Sequence, residues 1–302
     1  MPPITTTDMA LKYQEELKQL DPEVTYLMTL YLGQGLTPEE VHKAAKAGVV
    51  GVKSYPKGVT TNSESGIESY EGYYPVFRAM EEANMVLNLH GEIPSDPARD
   101  ICVLNAEERF LPELEKIHQS FPQLRIVLEH VTSKAAVDKV RSLGPTVGAT
   151  ITVHHLELTI DDVAGRNHHF CKPIAKFPHD REAIREVVKE GHPRFFLGSD
   201  SAPHPRHLKE CVTACAGVFT TPYILPYLAT TLEKLGCLDR LRGFACENGP
   251  RFYQLQPQTA TVKLTRSLTR TVESEFSYGD GEGAVVPFLA GTSLGWELEF
   301  DK

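Results

Sequence analysis

The 302 residues carry 41% hydrophobic and 24% charged side chains, ordinary globular proportions with enough apolar material for a sizeable core. The formal charge is −9 with no long basic block, which argues against a nucleic-acid partner held by phosphate neutralisation. No apolar run approaches the roughly 18 residues needed to cross a bilayer, and Met1-Pro2-Pro3-Ile4-Thr5-Thr6-Thr7 has no basic region followed by an apolar core, so a cytosolic protein without a membrane partner is expected.

Along the chain, amphipathic periodicity predicts a helix over 8–20, and a β-branched run predicts a strand over 25–32. Thr37-Pro38-Glu39-Glu40 is a helix start signal, opening a helix over 37–47 that leads to a strand over 49–55. The alternation continues with a helix over 74–83 and a strand over 86–90, then a helix over 106–120 and a strand over 125–130. A helix over 133–142 and a strand over 147–153 follow, and then a helix over 181–190 and a strand over 195–200. This is the pattern of about six βα units and a parallel sheet, each strand reading as apolar on both faces. A helix-rich region over 208–252 and a mixed tail to Lys302 complete the chain. No repeat, low-complexity segment or Gly/Ser linker marks a boundary, so one domain is expected, with its core over 1–253 and an extension over 254–302.

The six cysteines, Cys102, Cys171, Cys211, Cys215, Cys237 and Cys246, are scattered and read as free thiols. Cys211 and Cys215 are spaced to share a helical face, but no second Cys or His pair follows at finger spacing, and packing is their plainer role. There is no Gly-rich phosphate loop and no Gly-x-Ser-x-Gly elbow, which removes the common nucleotide-binding and serine-hydrolase readings.

Four polar, metal-competent residues fall at the carboxyl ends of four predicted strands: Lys53 after Val49-Val50-Gly51-Val52, His90 after Val86-Leu87-Asn88-Leu89, His130 after Val127-Leu128-Glu129, and Asp200 after Phe196-Leu197-Gly198-Ser199. In a (β/α)₈ barrel the strand ends at that face converge on the active site. A lone His after a strand reads equally as a hydrogen-bonded structural residue, and two on consecutive strand ends, with a later strand-end Asp, shift the balance to ligands. Lys53 reads as a surface lysine unless its charge is paired or removed, because a buried ammonium is costly. His154 and His155 close the strand before Asp200 and compete as ligands, although adjacent strand residues face opposite ways and only one would enter a cavity. His168, His169, His179 and His207 read as structural.

At these strand ends the sequence resembles the dihydroorotases, in their single-function fungal and bacterial form. The likeness extends to Thr60-Thr61-Asn62-Ser63, Phe170-Cys171-Lys172-Pro173, Leu197-Gly198-Ser199-Asp200-Ser201-Ala202-Pro203-His204, His204-Pro205-Arg206-His207-Leu208-Lys209-Glu210, Glu247-Asn248-Gly249-Pro250-Arg251-Phe252-Tyr253 and Val286-Pro287-Phe288-Leu289-Ala290-Gly291. It implies an α/β fold, the (β/α)₈ TIM-type barrel of the metal-dependent amidohydrolases, and the reversible cyclisation of N-carbamoyl-L-aspartate to L-dihydroorotate in pyrimidine synthesis. It also implies two zinc ions per subunit, bridged by Lys53 as a carbamate. On the same likeness His90 and His130 would complete one zinc, and Asp200 would bind the other and move the proton. The likeness further implies that His204 and the backbone near Lys172 and Ala216 hold the small-molecule substrate, that Thr60 and Thr61 close over it, and that the subunit pairs as a homodimer.

The family's first strand ends in His-x-His followed by an Arg, and its second ends near an Asn. This sequence opens at Met1-Pro2-Pro3-Ile4-Thr5-Thr6, just past that Asn, and holds no His-x-His elsewhere. The resemblance therefore implies a barrel without its first two strands and one complete zinc half-site, with little activity and poor solubility for these 302 residues by themselves. A start at an internal methionine explains this, as does a truncated homologue that serves only as an interaction partner; the intact state of every retained position favours the first. The enzymatic alternative is a hydantoinase-like or allantoinase-like cyclic-amide hydrolase.

Overall fold

A computed structural model describes residues 3–59 and 66–299. Helix α1 (Thr7–Leu20) begins where the Thr6 hydroxyl accepts the Met9 amide. Helix α2 (Pro38–Lys46) begins where the Thr37 side chain accepts the Glu40 amide, with Pro38 in the first turn and Glu39 and Glu40 at the positive helix end. The parallel strands β1 (Thr29–Tyr31), β2 (Gly51–Ser54), β3 (Val86–His90), β4 (Arg125–Glu129), β5 (Val147–Ile151) and β6 (Phe195–Leu197) lie in the sheet in chain order. Between them run α3 (Tyr74–Glu82), α4 (Ala106–Ser120) and α5 (Lys134–Ser142), then the short α6 (Val153–Glu157) and α7 (Ile160–Val163), and α8 (Pro178–Glu190).

The chain divides into two compact units, Met1–Glu129 with Lys139–Gly148, and His130–Asp138 with Ala149–Lys302. In the first, register sets Lys53 beside Asn88, Asn88 beside Val127, and His90 beside Glu129. Because side chains alternate, Leu30, Val52, Leu87, Leu89, Ile126 and Leu128 share one face, and all are fully buried. Each such burial contributes roughly 1.5–3 kcal/mol. The other face carries Tyr31, Lys53, Asn88, His90 and Glu129. The expectation of strands apolar on both faces therefore fails for β2 to β4, whose second face is chemically equipped. Phe77 of α3 and Phe110 of α4 meet Tyr70, and Phe77 also meets Phe121, in an aromatic core of this unit.

In the second unit β5 and β6 pair in parallel, Thr150 beside Phe196. After them come α9 (Arg206–Lys209), α10 (Ile224–Lys234) and α11 (Asn248–Tyr253). The tail forms two antiparallel ribbons, β7 (Lys263–Arg266) with β10 (Trp296–Glu299) and β8 (Phe276–Tyr278) with β9 (Gly283–Val285). Glu233 of α10 pairs with Arg266 and accepts from the Trp296 indole at 3.2 Å, which docks the first ribbon.

Three expectations are corrected. The strand expected over 147–153 stops at Ile151, because the Thr152 hydroxyl accepts the His155 amide at 3.1 Å and starts α6. His154 and His155 are therefore helical and both buried, and the opposite-face argument does not apply to them. Cys211 and Cys215 lie beyond the end of α9, not on a helix, and Cys211 is exposed, its thiol donating to the Leu208 and Thr213 carbonyls, although the six thiols are free as expected.

Candidate active site

In the first unit the polar face gathers around Lys53. Its ammonium pairs with the Glu129 carboxylate and lies 4.8 Å from the centroid of the Tyr55 ring. Tyr55 stacks on Tyr31 at 5.9 Å and on His90 at 6.0 Å. His90 and Glu92 are 1% and 2% exposed, with His90 Nε2 2.7 Å from Glu92 Oε2. A carboxylate on one ring nitrogen fixes the orientation and tautomer of the imidazole. Beside Lys53 and Tyr55 opens a cleft of about 360 Å³ along β1, lined also by Ile4, Tyr13, Met28 and Tyr31.

The second unit holds the other strand-end residues. His130 and Asp200 both sit at positive φ, +44° and +41°. For residues with a Cβ this costs of order 1–3 kcal/mol, a strain typical of functional positions. The His130 amide donates to Thr150 Oγ1 at 2.7 Å, and the ring is buried. Gly198, two residues before Asp200, lies against the same Thr150, where an added Cβ would sit 2.6 Å from its Cβ. The glycine in Leu197-Gly198-Ser199-Asp200 is thus demanded by close approach. His204 Nε2 lies 3.0 Å from the Ala216 carbonyl, and the half-buried Lys172 precedes Pro173 across a cis peptide bond.

His154, His155 and Cys171 form a further buried group whose ligand atoms lie within 4.8 Å of one another. His155 is already engaged, Nδ1 with Thr152 Oγ1 at 2.8 Å and Nε2 with the Pro173 carbonyl at 3.0 Å. Burial, followed by the Lys176 charge, pushes the His155 imidazole down to about 3. That ammonium opposes any added cation, so the group reads as a neutral core cluster.

The structure therefore brings Lys53 and His90 to one polar face, and His204 to Ala216. Thr60 and Thr61 lie outside the described residues. Sequence reasoning missed Glu129, Glu92 and Tyr55. Glu129 carried a signal, a carboxylate inside an apolar strand next to His130.

No family model matches the chain. It is 48% identical over 303 residues to the probable dihydroorotase of Schizosaccharomyces pombe, covering 100% of this chain and 88% of the relative. With the dihydroorotase of Mycosarcoma maydis it shares 47% identity, covering 99% and 88%. Its structure matches that of the Saccharomyces cerevisiae dihydroorotase in complex with 5-fluoroorotic acid with a TM-score of 0.95 at 42% identity, over 99% of this chain and 87% of the other. An L-hydantoinase from Arthrobacter aurescens, at 19% identity and a TM-score of 0.82 over 98% and 72%, shares the fold alone.

The parallel βα units shared with these structures give an α/β protein of the TIM-barrel type, and the relatives at 42–48% identity make it a metal-dependent amidohydrolase that acts on cyclic amides. The hydantoinase shares only the fold, at low identity. Within it, the chain belongs to the dihydroorotase family.

Proposed function

We propose that this chain interconverts N-carbamoyl-L-aspartate and L-dihydroorotate with zinc, in the pyrimidine pathway of the cytoplasm and as a homodimer. The observation that carries the reading is the polar face of Lys53, Asn88, His90 and Glu129, on strands whose opposite face is apolar apart from the buried Ser54.

The donor chemistry suits zinc: imidazoles at His90 and His130, a carboxylate at Asp200, and at Lys53 an amine whose carbamate is an anionic oxygen donor. Lys53, as the bridging ligand that the family resemblance implies, with His90, His130 and Asp200, would hold the zinc. Bound zinc lowers the pKa of water to about 7 and polarises a carbonyl. Glu92 holds His90 through Nε2, which assigns Nδ1 as the ligand atom. Asp200 takes the proton in ring opening and delivers it to the departing nitrogen, and the reverse transfer serves ring closure. His204 and the backbone at Lys172 and Ala216 hold the substrate carboxylate; the orotate-like ligand of the yeast relative is a molecule of that kind. Thr60 and Thr61 are assigned, by likeness to the family, to the segment that closes over it.

Ring opening of dihydroorotate, hydantoin and allantoin, measured side by side on protein of known zinc content, tests the assignment. Turnover of dihydroorotate alone supports it. A preference for hydantoin or allantoin on the zinc-loaded protein would overturn it.

A further inference from the structure

We propose that Lys209 is a positioning residue for substrate binding: its ammonium pins the loop Cys215-Ala216-Gly217 to Phe170 and so fixes the Ala216 carbonyl and the His204 ring that meets it. The inference rests on the reading of His204, Lys172 and Ala216 as the groups that hold the substrate.

Lys209 is 3% exposed at the end of α9. An ammonium has three N–H donors and no acceptor, and here all three are spent on backbone carbonyls. They go to Phe170 at 3.0 Å, Cys215 at 2.8 Å and Gly217 at 2.8 Å. No carboxylate pairs with Lys209 among the described residues, so its charge faces carbonyl dipoles and the Phe170 ring, 5.9 Å away. Burial pushes its pKa down to about 8, opposed by the thiols of Cys171 and Cys215. A buried charge without a counter-ion is a poor way to fill space, and an apolar side chain of the same length would avoid the desolvation. The feature it supplies and packing does not is a fixed direction for three carbonyls on three turns of chain.

Those turns frame the substrate groups. Phe170 lies two residues before Lys172, and its carbonyl also accepts the Gly217 amide at 2.9 Å. Ala216 lies between two of the pinned carbonyls, and its own oxygen meets His204 Nε2 at 3.0 Å. A Cβ on Gly217 would come within 2.5 Å of the Ala202 carbonyl and 2.9 Å of His204 Cδ2, so the loop lies hard against the 202–204 segment. The Ala202 amide donates to the Val218 carbonyl at 3.0 Å, completing the frame. Loosening the loop therefore moves His204 and Ala216 together, while His90 and Lys53 belong to the other unit.

The test compares Lys209→Met, Lys209→Gln and His204→Ala in the full chain with zinc bound, reading KM and kcat for dihydroorotate, zinc per chain and thermal unfolding. Lys209→Met should raise KM on the order of tenfold or more, with zinc content unchanged and kcat within about twofold. Lys209→Gln, which keeps two N–H donors, should restore part of the loss, and it gives the same KM-against-kcat split if the Met variant does not fold. A raised KM in His204→Ala beside an unchanged KM in both Lys209 variants overturns the role of Lys209 and leaves the substrate reading standing. An unchanged KM in His204→Ala overturns the substrate reading, and the inference with it.

Discussion

Lys53 and Glu129 belong to strands separated by β3, yet their side chains meet over it in an ion pair. The register explains how: Lys53 lies beside Asn88, Asn88 beside Val127, and Glu129 follows two residues later on the same face. At 14% and 24% side-chain exposure the pair is sheltered, so deleting one partner leaves the other charge poorly solvated. In metal-free protein, Lys53→Met and Glu129→Gln should each lower unfolding stability by about 1–3 kcal/mol. The double variant should fall short of their sum by roughly 0.5–3 kcal/mol. Urea titration of the four proteins measures the coupling, and strict additivity would show that the contact contributes nothing.

Glu92 touches His90 and is almost as buried. Under the proposed ligand assignment it orients the imidazole without being a ligand, so Glu92→Gln should weaken zinc binding by roughly 10- to 100-fold. Competition with a chelator of known affinity reads this directly. Unchanged zinc affinity together with lost activity would place Glu92 in another role.

Where one physical signal governs an element, it is legible in the sequence. The helix expected over 106–120 and the strand over 86–90 are found as Ala106–Ser120 and Val86–His90, because periodicity and burial agree there. The strand over 147–153 is overrun because the Thr152 hydroxyl competes for the backbone and begins a helix. Likewise the helix expected over 181–190 starts earlier, at Pro178, where proline suits a first turn. Lys53 and His90 stand out as polar ends of apolar runs. The Glu129 contact depends on register between residues 76 apart, which no local pattern carries. Lys209 is hidden for a similar reason: it lies in a string shared with the family, but its role depends on its burial by the fold of the following loop.

Lys53 and Asp200 should separate by what their loss removes. Lys53→Ala deletes the proposed bridge, so both zinc content and dihydroorotate turnover should collapse. Asp200→Asn keeps a neutral oxygen donor but no base, so much of the zinc should stay while turnover falls by about 10²- to 10⁴-fold. Zinc per chain, measured beside turnover, distinguishes them; equal zinc loss in the two would make Asp200 chiefly a ligand.

His154 and His155 make the fold sensitive to acid. Both rings are buried, and desolvation lowers the His155 imidazole to about 3 and the His154 imidazole well below its ordinary 6.5, with each of their other charged or imidazole neighbours acting in the same direction. In the unfolded chain both titrate near 6.5. Below that pH the unfolded state binds more protons than the folded state, so stability is fully present above about 6.5 and is lost as pH falls toward 3. Each group contributes a slope of up to about 1.4 kcal/mol per pH unit. The two rings differ in one respect. His155 is hydrogen-bonded through both nitrogens, whereas neither nitrogen of His154 has a partner among the described residues. An unsatisfied buried polar group costs roughly 1–3 kcal/mol, and an apolar replacement of similar shape removes that cost. His154→Leu should therefore be neutral or stabilising at pH 7.5 and should flatten the acid limb of the stability curve, while His155→Leu should destabilise at pH 7.5, because it removes the ring's hydrogen bonds to Thr152 Oγ1 and the Pro173 carbonyl, and should flatten the acid limb as well. Unfolding free energies of the three proteins between pH 4 and pH 8 measure both effects. A His154→Leu variant as acid-sensitive as the parent would refute the assignment of the acid limb to this ring.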